Sequence, residues 1–432
     1  MARQNLAFYA VTVFAYSLLL PSGLWLTFAG SVLPPYRIVL IAALPALLFH
    51  AKENRFQPHP LDGVLFFGSI WIFASLSAVE GFTRALNGGG SQFVDIYLSY
   101  LYARVFITNL TDARRLLIVI SPGLLVAGLL IFVESVSHTY IVDPISNQLV
   151  GRSSRVAEEL RYYTRMGLMR APGPFPHPIL AGVFLSSFLT LFLTSSIKSW
   201  PKVIGILAGF LSFFTVSSAP VLGIILSFGL IIVDIVVRVV EKLTWRLIVA
   251  CILVIILVLE VVSGSGVIGL IIRFATFDQQ TAFYRLLIWE YAGASVRANP
   301  IFGIGFGEWV RPSWMSSSID AYWLLLSVQY GIVPAFAFLS VAVGSIFALV
   351  GRVNRTKSAV DRYFLKGFIF LIFILCLQAF TVAYWLSMQS WFFFILGMAI
   401  SICQAPRPSG KRPAREASRT RAGSLYRINR HG

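Results

Sequence analysis

Residues 116–133 read LLIVISPGLLVAGLLIFV, eighteen positions without a charge. As a helix that run would be about 27 Å long, close to the hydrocarbon thickness of a bilayer. Further apolar stretches lie at Ile248–Val262 with its flanks and at Phe368–Phe380. Working outward from 116–133 gives segments at Leu6–Phe28, Tyr36–Ala51, Leu61–Glu80, Phe93–Thr108, Leu116–Ser135 and His177–Ser195. The series continues with Val203–Val216, Val221–Val237, Leu247–Val262, Ala321–Val350, Phe364–Ala383 and Leu386–Cys403. Ser217, Ser218 and Pro220 mark a tight turn between the seventh and eighth. The pattern predicts an all-α, polytopic integral membrane protein with about twelve transmembrane helices. The first segment lacks a small-residue cleavage pattern and runs into more apolar sequence, so it reads as a membrane helix and not as a cleaved signal.

Composition points the same way. Hydrophobic residues make up 57% of the chain and charged residues 12%, where soluble domains carry about 25% charged residues. Mean hydropathy is +0.79. The net charge of +17, from 35 basic and 18 acidic residues, would suggest nucleic acid on a soluble protein. Here it follows from the enrichment of Lys and Arg in cytoplasmic loops, and no nucleic-acid partner is expected. Cys251, Cys376 and Cys403 all lie in apolar runs, which reads as buried thiols and not as a disulfide framework.

An even number of spans puts both termini on one side. Lys52 and Arg55, Arg114 and Arg115, Lys198 and Lys202, Arg238, Lys242 and Arg246, then Arg352, Arg355, Lys357, Arg362 and Lys366 fall on a common set of connections. That set, with both termini, is cytoplasmic by the positive-inside rule, so the expected home is a bacterial inner membrane. Residues 1–404 form the transmembrane domain. Residues 405–432 are basic and lack apolar periodicity, which reads as a disordered cytoplasmic tail able to touch anionic lipid. Two long segments, 136–176 and 263–320, then fall on the periplasmic side, where any extracytoplasmic chemistry belongs.

These two loops break the charge rule. The first carries Arg152, Arg155, Arg161, Arg165 and Arg170, the second Arg273, Arg285, Arg297 and Arg311, with no lysine among them. The guanidinium is a permanently charged planar fork that holds phosphate or carboxylate through paired hydrogen bonds. An anionic substrate such as a lipid diphosphate fits that set; lipid headgroups, or Glu158 and Glu159, are the bland alternative. The stretch YRLLIWEYAGASVRAN, Tyr284–Asn299, reads as a helix on the membrane surface, with Arg285 one turn before Trp289 and Asn299-Pro300 as its stop. Gly303, Gly305 and Gly307 follow; without a preceding strand they form a turn where backbone approaches something closely, not a dinucleotide fingerprint. Asp320, where the loop meets the tenth span, reads both as a helix N-cap and as a general base. His177 ends the proline-rich run RAPGPFPHP and could act as an acid, a base or a structural residue. No ligand cluster for a metal and no cofactor motif is present.

In this order and on this topology the motifs resemble the O-antigen ligase and polysaccharide polymerase superfamily. Family members often show Arg followed by Trp, then Asn-Pro, then Gly-x-Gly-x-Gly; here these are Arg285, Trp289, Asn299-Pro300 and Gly303, Gly305 and Gly307. Their exit helix commonly starts His-Asn and reaches a Gly about eleven residues later. Gly331 matches, and Asp320 stands where the His would be. The run Arg170, Gly173, Phe175, Pro178 is similar to the stretch after the family's first conserved arginine. The resemblance implies a membrane-embedded glycosyltransferase with an undecaprenyl-diphosphate-linked glycan as donor, inverting by one in-line displacement; the lack of a ligand cluster and the arginine set make it expected to be metal-independent. The acceptor is another lipid-linked glycan in polymerases and lipid A-core in ligases. Aspartate in place of histidine weighs against the ligase role. Arg165, Arg170, Arg297, His177, Trp289, Gly303 and Gly305 are then expected to bind donor or acceptor, and Asp320 and Arg285 to carry the chemistry. A polytopic carrier or flippase for a lipid-linked or anionic solute is the alternative. It would show charged residues facing one another at mid-membrane, and Arg104, Glu80, Glu134, Asp234 and Glu260 lie mostly near span ends. A non-catalytic scaffold is the third reading.

Overall fold

A computed structural model describes residues 2–28, 30–53, 56–150, 164–262, 266–274 and 279–405, with backbone only at 2–6, 271, 274 and 279. Arg152, Arg155, Arg161, Glu158, Glu159 and the tail beyond 405 lie outside the described residues.

The chain is mostly helical. Among the described residues six helices are long and apolar enough to cross a membrane: α4 (Pro60–Glu80), α8 (Leu110–Ser137), α12 (Ser218–Val239), α13 (Trp245–Val262), α17 (Ile332–Arg355) and α19 (Ser387–Gln404). A seventh is formed if α2 (Pro35–Ala42) and α3 (Leu44–Glu53), bent by 46°, count as one span. Shorter apolar helices cover Ala7–Ser17, the end of α1 (Ala2–Ser17), then α10 (Pro178–Thr194) and Trp200–Thr215, which is α11 (Trp200–Leu211) with a 3-10 turn. This is a multi-pass membrane protein.

Three of the expected spans are built differently. The first helix ends at Ser17, and the chain beyond it forms a short antiparallel hairpin, β1 (Leu26–Phe28) with β2 (Ser31–Leu33). The fourth begins earlier than Phe93. It winds from α5 (Phe82–Arg84) through α6 (Gly90–Phe93) to α7 (Ser99–Phe106), interrupted by π-turns at Ala85–Gly89 and Val94–Leu98. The tenth breaks at Gly331 into α16 (Tyr322–Tyr330) and α17. Gly331 has φ +81°, and a Cβ there would collide with the Ile301 carbonyl oxygen, so only glycine lets the incoming loop close on this break.

The packed centre is α19. Trp391, Phe392, Phe393, Phe394 and Leu396 are fully buried against α7, α10, α17 and α18 (Ala359–Gln378). Trp391 stacks on Phe188 at 4.4 Å and donates its indole N–H to Ser187 Oγ at 2.9 Å. Inside a bilayer lipid tails are as apolar as leucine, so this packing, not water exclusion, holds the helices together. Truncating Trp391 to Ala would cost about 3–5 kcal/mol through the cavity left behind. By contrast α13 buries none of its residues, and its surface, apolar between Arg246 and Glu260 near its two ends, suits lipid.

Buried charge is more abundant than the sequence suggests. The Arg37 guanidinium grips both carboxylate oxygens of Asp95, at 2.7 and 2.6 Å, and Tyr36 donates to the same carboxylate at 3.0 Å. Arg104 likewise grips Asp62 with both contacts at 2.9 Å, which explains a residue that snorkelling alone would have covered. Isolated charges are prohibitively costly in hydrocarbon; paired in this way they hold α2 to the π-wound segment and α4 to α7.

Candidate functional site

The candidate site forms where the two long loops meet. The first loop runs through α9 (Val142–Val150) to a hairpin, β3 (Thr164–Arg165) with β4 (Leu168–Met169), turned by Met166 and Gly167 in left-handed backbone. A buried strap, residues 170–177, follows. Its prolines remove backbone donors, and Gly173 sits at φ +56° where a Cβ would lie 2.6 Å from the Ile131 side chain. Glu134, at the end of α8, fixes this strap. Its carboxylate is 0% exposed, with Oε1 accepting the Ile141 and Val142 N–H groups at 2.9 Å and Oε2 accepting the Gly173 N–H at 3.0 Å. In the sequence Glu134 reads only as a span-end charge. Its signal was a lone acid at the end of a long apolar run.

The strap ends at His177, the N-cap of α10. Its Nδ1 accepts the Ile179 N–H at 3.2 Å, with Pro178 completing the helix start. This structural role is real, and it has a chemical consequence. With Nδ1 occupied as an acceptor, the neutral ring carries its proton on Nε2. Burial, then the Arg170 charge, push the His177 pKa down to about 4 against an opposing pull from Asp320. His177 is therefore a neutral donor at neutral pH. Tyr140, between α8 and α9, is a second residue the sequence did not single out. Burial and the Glu134 charge push its phenol up to about 12, and Arg170 acts in the opposite sense.

The second loop contributes α14 (Gly266–Phe274) and α15 (Gln279–Ala298). Arg285 lies in the middle of α15 and is 5% exposed. Burial lowers its pKa, the Asp320 carboxylate raises it, and Arg165 lowers it further. Arg165 also donates to Thr281 Oγ1 at 3.3 Å, one helical turn before Arg285, which ties the first loop's hairpin to the second loop's helix. Asp320 does not cap α16: the N-cap is Ala321, without a side-chain bond. The cap fails because Ala321 intervenes, and the Tyr322 N–H turns instead to the Ala379 and Val382 carbonyls. The Asp320 carboxylate accepts the Ser318 hydroxyl at 2.9 Å and remains partly exposed.

The fold thus brings Arg165, Arg170, His177, Arg285 and Asp320 into one electrostatic group, though His177 and Asp320 are far apart in the chain. It leaves the other expected contacts in supporting positions. Trp289 donates its indole N–H to the Phe380 carbonyl at 3.2 Å and stacks on that ring, rooting α15 on the bundle. Gly303 and Gly305 make their close approach to the protein's own backbone: Ile304 N–H reaches the Val328 carbonyl at 2.8 Å and Gly305 N–H the Gln329 carbonyl at 2.9 Å. Glu80, at the end of α4, accepts the Phe306 N–H at 2.8 Å and clamps the same loop. Arg297 is exposed in the last turn of α15 and has no part in the group.

A predominance of cations with one carboxylate and a neutral imidazole donor suits an anionic ligand. Among the described residues no three of His, Cys, Asp and Glu come together as a metal site. Comparison with family models and with curated proteins gives no match.

Proposed function

We propose that this chain is a membrane glycosyltransferase of bacterial surface-polysaccharide assembly, a polymerase before a ligase. It would work at the periplasmic face of the inner membrane, in a body of about twelve spans, on an undecaprenyl-diphosphate-linked glycan. The grouping of Asp320 with Arg285 and His177 carries this reading, and the resemblance of the loop motifs supports it. In the reaction an acceptor hydroxyl oxygen attacks the anomeric carbon in line with the departing diphosphate. Its C–O bond forms as the C–O bond to the diphosphate breaks, and Asp320 takes the hydroxyl proton. Arg285, Arg170 and Arg165 stabilise the charge that grows on the diphosphate, which cations can do without a metal. The acceptor is a second lipid-linked glycan; lipid A-core would be the ligase case.

Surface glycans of a deletion strain, displayed by gel, test this. Loss of long chains with short units retained identifies a polymerase; unmodified lipid A-core with accumulated lipid-linked polymer identifies a ligase. Complementation with Asp320→Asn, at normal protein level, should run at least about 100-fold slower, the lower end of what proton transfer contributes. An unchanged glycan profile in the deletion strain refutes the assignment. A lipid-linked carrier is the second reading, favoured by the buried Arg37–Asp95 pair. In that case the deletion would trap the lipid-linked unit on the cytoplasmic face, where the transferase reading has it accumulate outside.

A further inference from the structure

The segment that returns from the glycine turn to Asp320 is braced from within. The Trp309 indole N–H donates to the Ser317 carbonyl at 2.9 Å, the Arg311 Nε donates to the Met315 carbonyl at 3.0 Å, and Arg311 pairs with Glu308. The Val310 N–H reaches Ser295 Oγ at 3.1 Å. Trp309, Met315 and Ile319 are buried in a small core with Ile288 and Ala292 of α15 and Leu324 and Val328 of α16. Trp314, beside Met315, turns outward instead, 65% exposed, as does Val310 at 67%. Trp314 is not on a loose tip. Its ring lies 6.5 Å from that of Tyr284, the residue before Arg285, at 59°, and the Tyr284 hydroxyl accepts the Ser316 N–H at 2.7 Å.

A large aromatic face held against a neighbouring helix yet left open, on a segment that buries its other tryptophan, Trp309, marks a contact surface. Two occupants could use it. A tryptophan that anchors a protein at the bilayer surface sits in a belt of apolar neighbours. The segment around Trp314 in the chain instead carries Ser313, Ser316, Ser317 and Ser318, all exposed, with Glu308 and Arg311, and Val310 is its one other exposed large apolar side chain. A pyranose presents an apolar C–H face and a hydroxyl edge, which is the complement of an indole rimmed by hydroxyls and charges. The segment also ends, through the Ser318–Asp320 hydrogen bond, at the carboxylate of the candidate site.

We propose that Trp314, backed by Tyr284, is a stacking platform for a pyranose ring of the glycan chain, holding it in line with Asp320. This rests on the glycosyltransferase reading, and binding separates the two. The probe is the polysaccharide released by mild acid from cells of the native host, titrated into full-length protein in nanodiscs. Wild type should bind it, Trp314→Phe should weaken binding by a small factor, and Trp314→Leu by about tenfold or more, as expected for an aromatic anchor. The same discs carrying brominated phosphatidylglycerol report the lipid alternative through tryptophan emission lost in Trp314→Phe. Wild-type affinity retained in Trp314→Leu overturns the platform alone. Bromine quenching of the Trp314 emission without glycan also overturns it and makes the residue a membrane anchor. Wild-type protein that fails to bind the polysaccharide removes the platform and the function beneath it together.

Discussion

Glu134→Gln is the sharpest test of how the site is held. The carboxylate receives three backbone donors: two on Oε1 and one on Oε2. A carboxamide has a single acceptor oxygen. If that oxygen keeps Ile141 and Val142, its NH2 group faces the Gly173 N–H, donor against donor. A hydrogen bond to a charged acceptor contributes about 1.5–3 kcal/mol, and a buried donor left without a partner costs a comparable amount. At 1.4 kcal/mol per tenfold, local opening of the strap should become roughly 10- to 150-fold more frequent. Hydrogen exchange read by mass spectrometry on peptides covering 139–145 and 170–177 measures this directly. Exchange should accelerate in both segments in Glu134→Ala, mainly in 170–177 in Glu134→Gln, and in neither for the exposed α13. Activity should fall in the same order, because Arg170 and His177 ride on the strap. Unchanged exchange at 170–177 in Glu134→Gln would refute the argument, since Gly173 would then be held by something other than this carboxylate.

The remaining expectations concern the charged groups and the topology. Arg285→Lys should lose most glycan output at normal protein level, and Arg285→Ala more, because an ammonium cannot make the paired contacts of the guanidinium; the loss from one such donor is on the order of 2–4 kcal/mol in barrier. Near wild-type output from Arg285→Lys would make the residue a headgroup anchor. His177 has a folded pKa of about 4, below its ordinary 6.5, so the unfolded chain binds more protons between those values. Stability should therefore hold above pH 6.5 and fall as pH drops toward 4, by about 1.4 kcal/mol per unit at most. Melting followed against pH should lose that acid sensitivity in His177→Asn, which can still cap α10; a slope unchanged by the substitution would assign it elsewhere. A cysteine at Ser316 should react with an impermeant maleimide in intact cells and one at Ser418 should not, and the reverse pattern would move the site to the cytoplasmic face.

What the sequence determined by itself was the kind of protein. Uncharged runs such as 116–133 are long enough to need a bilayer, and hydropathy is a local property that survives without coordinates. The charge signature of the two loops was legible for the same reason, and so were Arg170, His177, Arg285 and Asp320 as residue types in unusual places. Their shared location was not legible, because it depends on contacts between segments distant in sequence: Arg165 on Thr281, and Glu134 on Gly173. Nor could the roles of the glycines be assigned. Glycines at 303, 305 and 331 suggest a close approach, but only the fold says that the partner is the backbone of 328–329 at Gly303, the Glu80 side chain at Gly305 and the backbone of 300–301 at Gly331. The ion pair of Arg37 with Asp95 was hidden because each residue sits in a separate apolar stretch, and pairing cancels in space a cost that a linear reading counts twice. Asp320 is the clearest case of division. Its position at a loop–helix boundary predicts a cap, and tertiary contacts to the Tyr322 N–H from the Ala379 and Val382 carbonyls supply that start differently, leaving the carboxylate to the site.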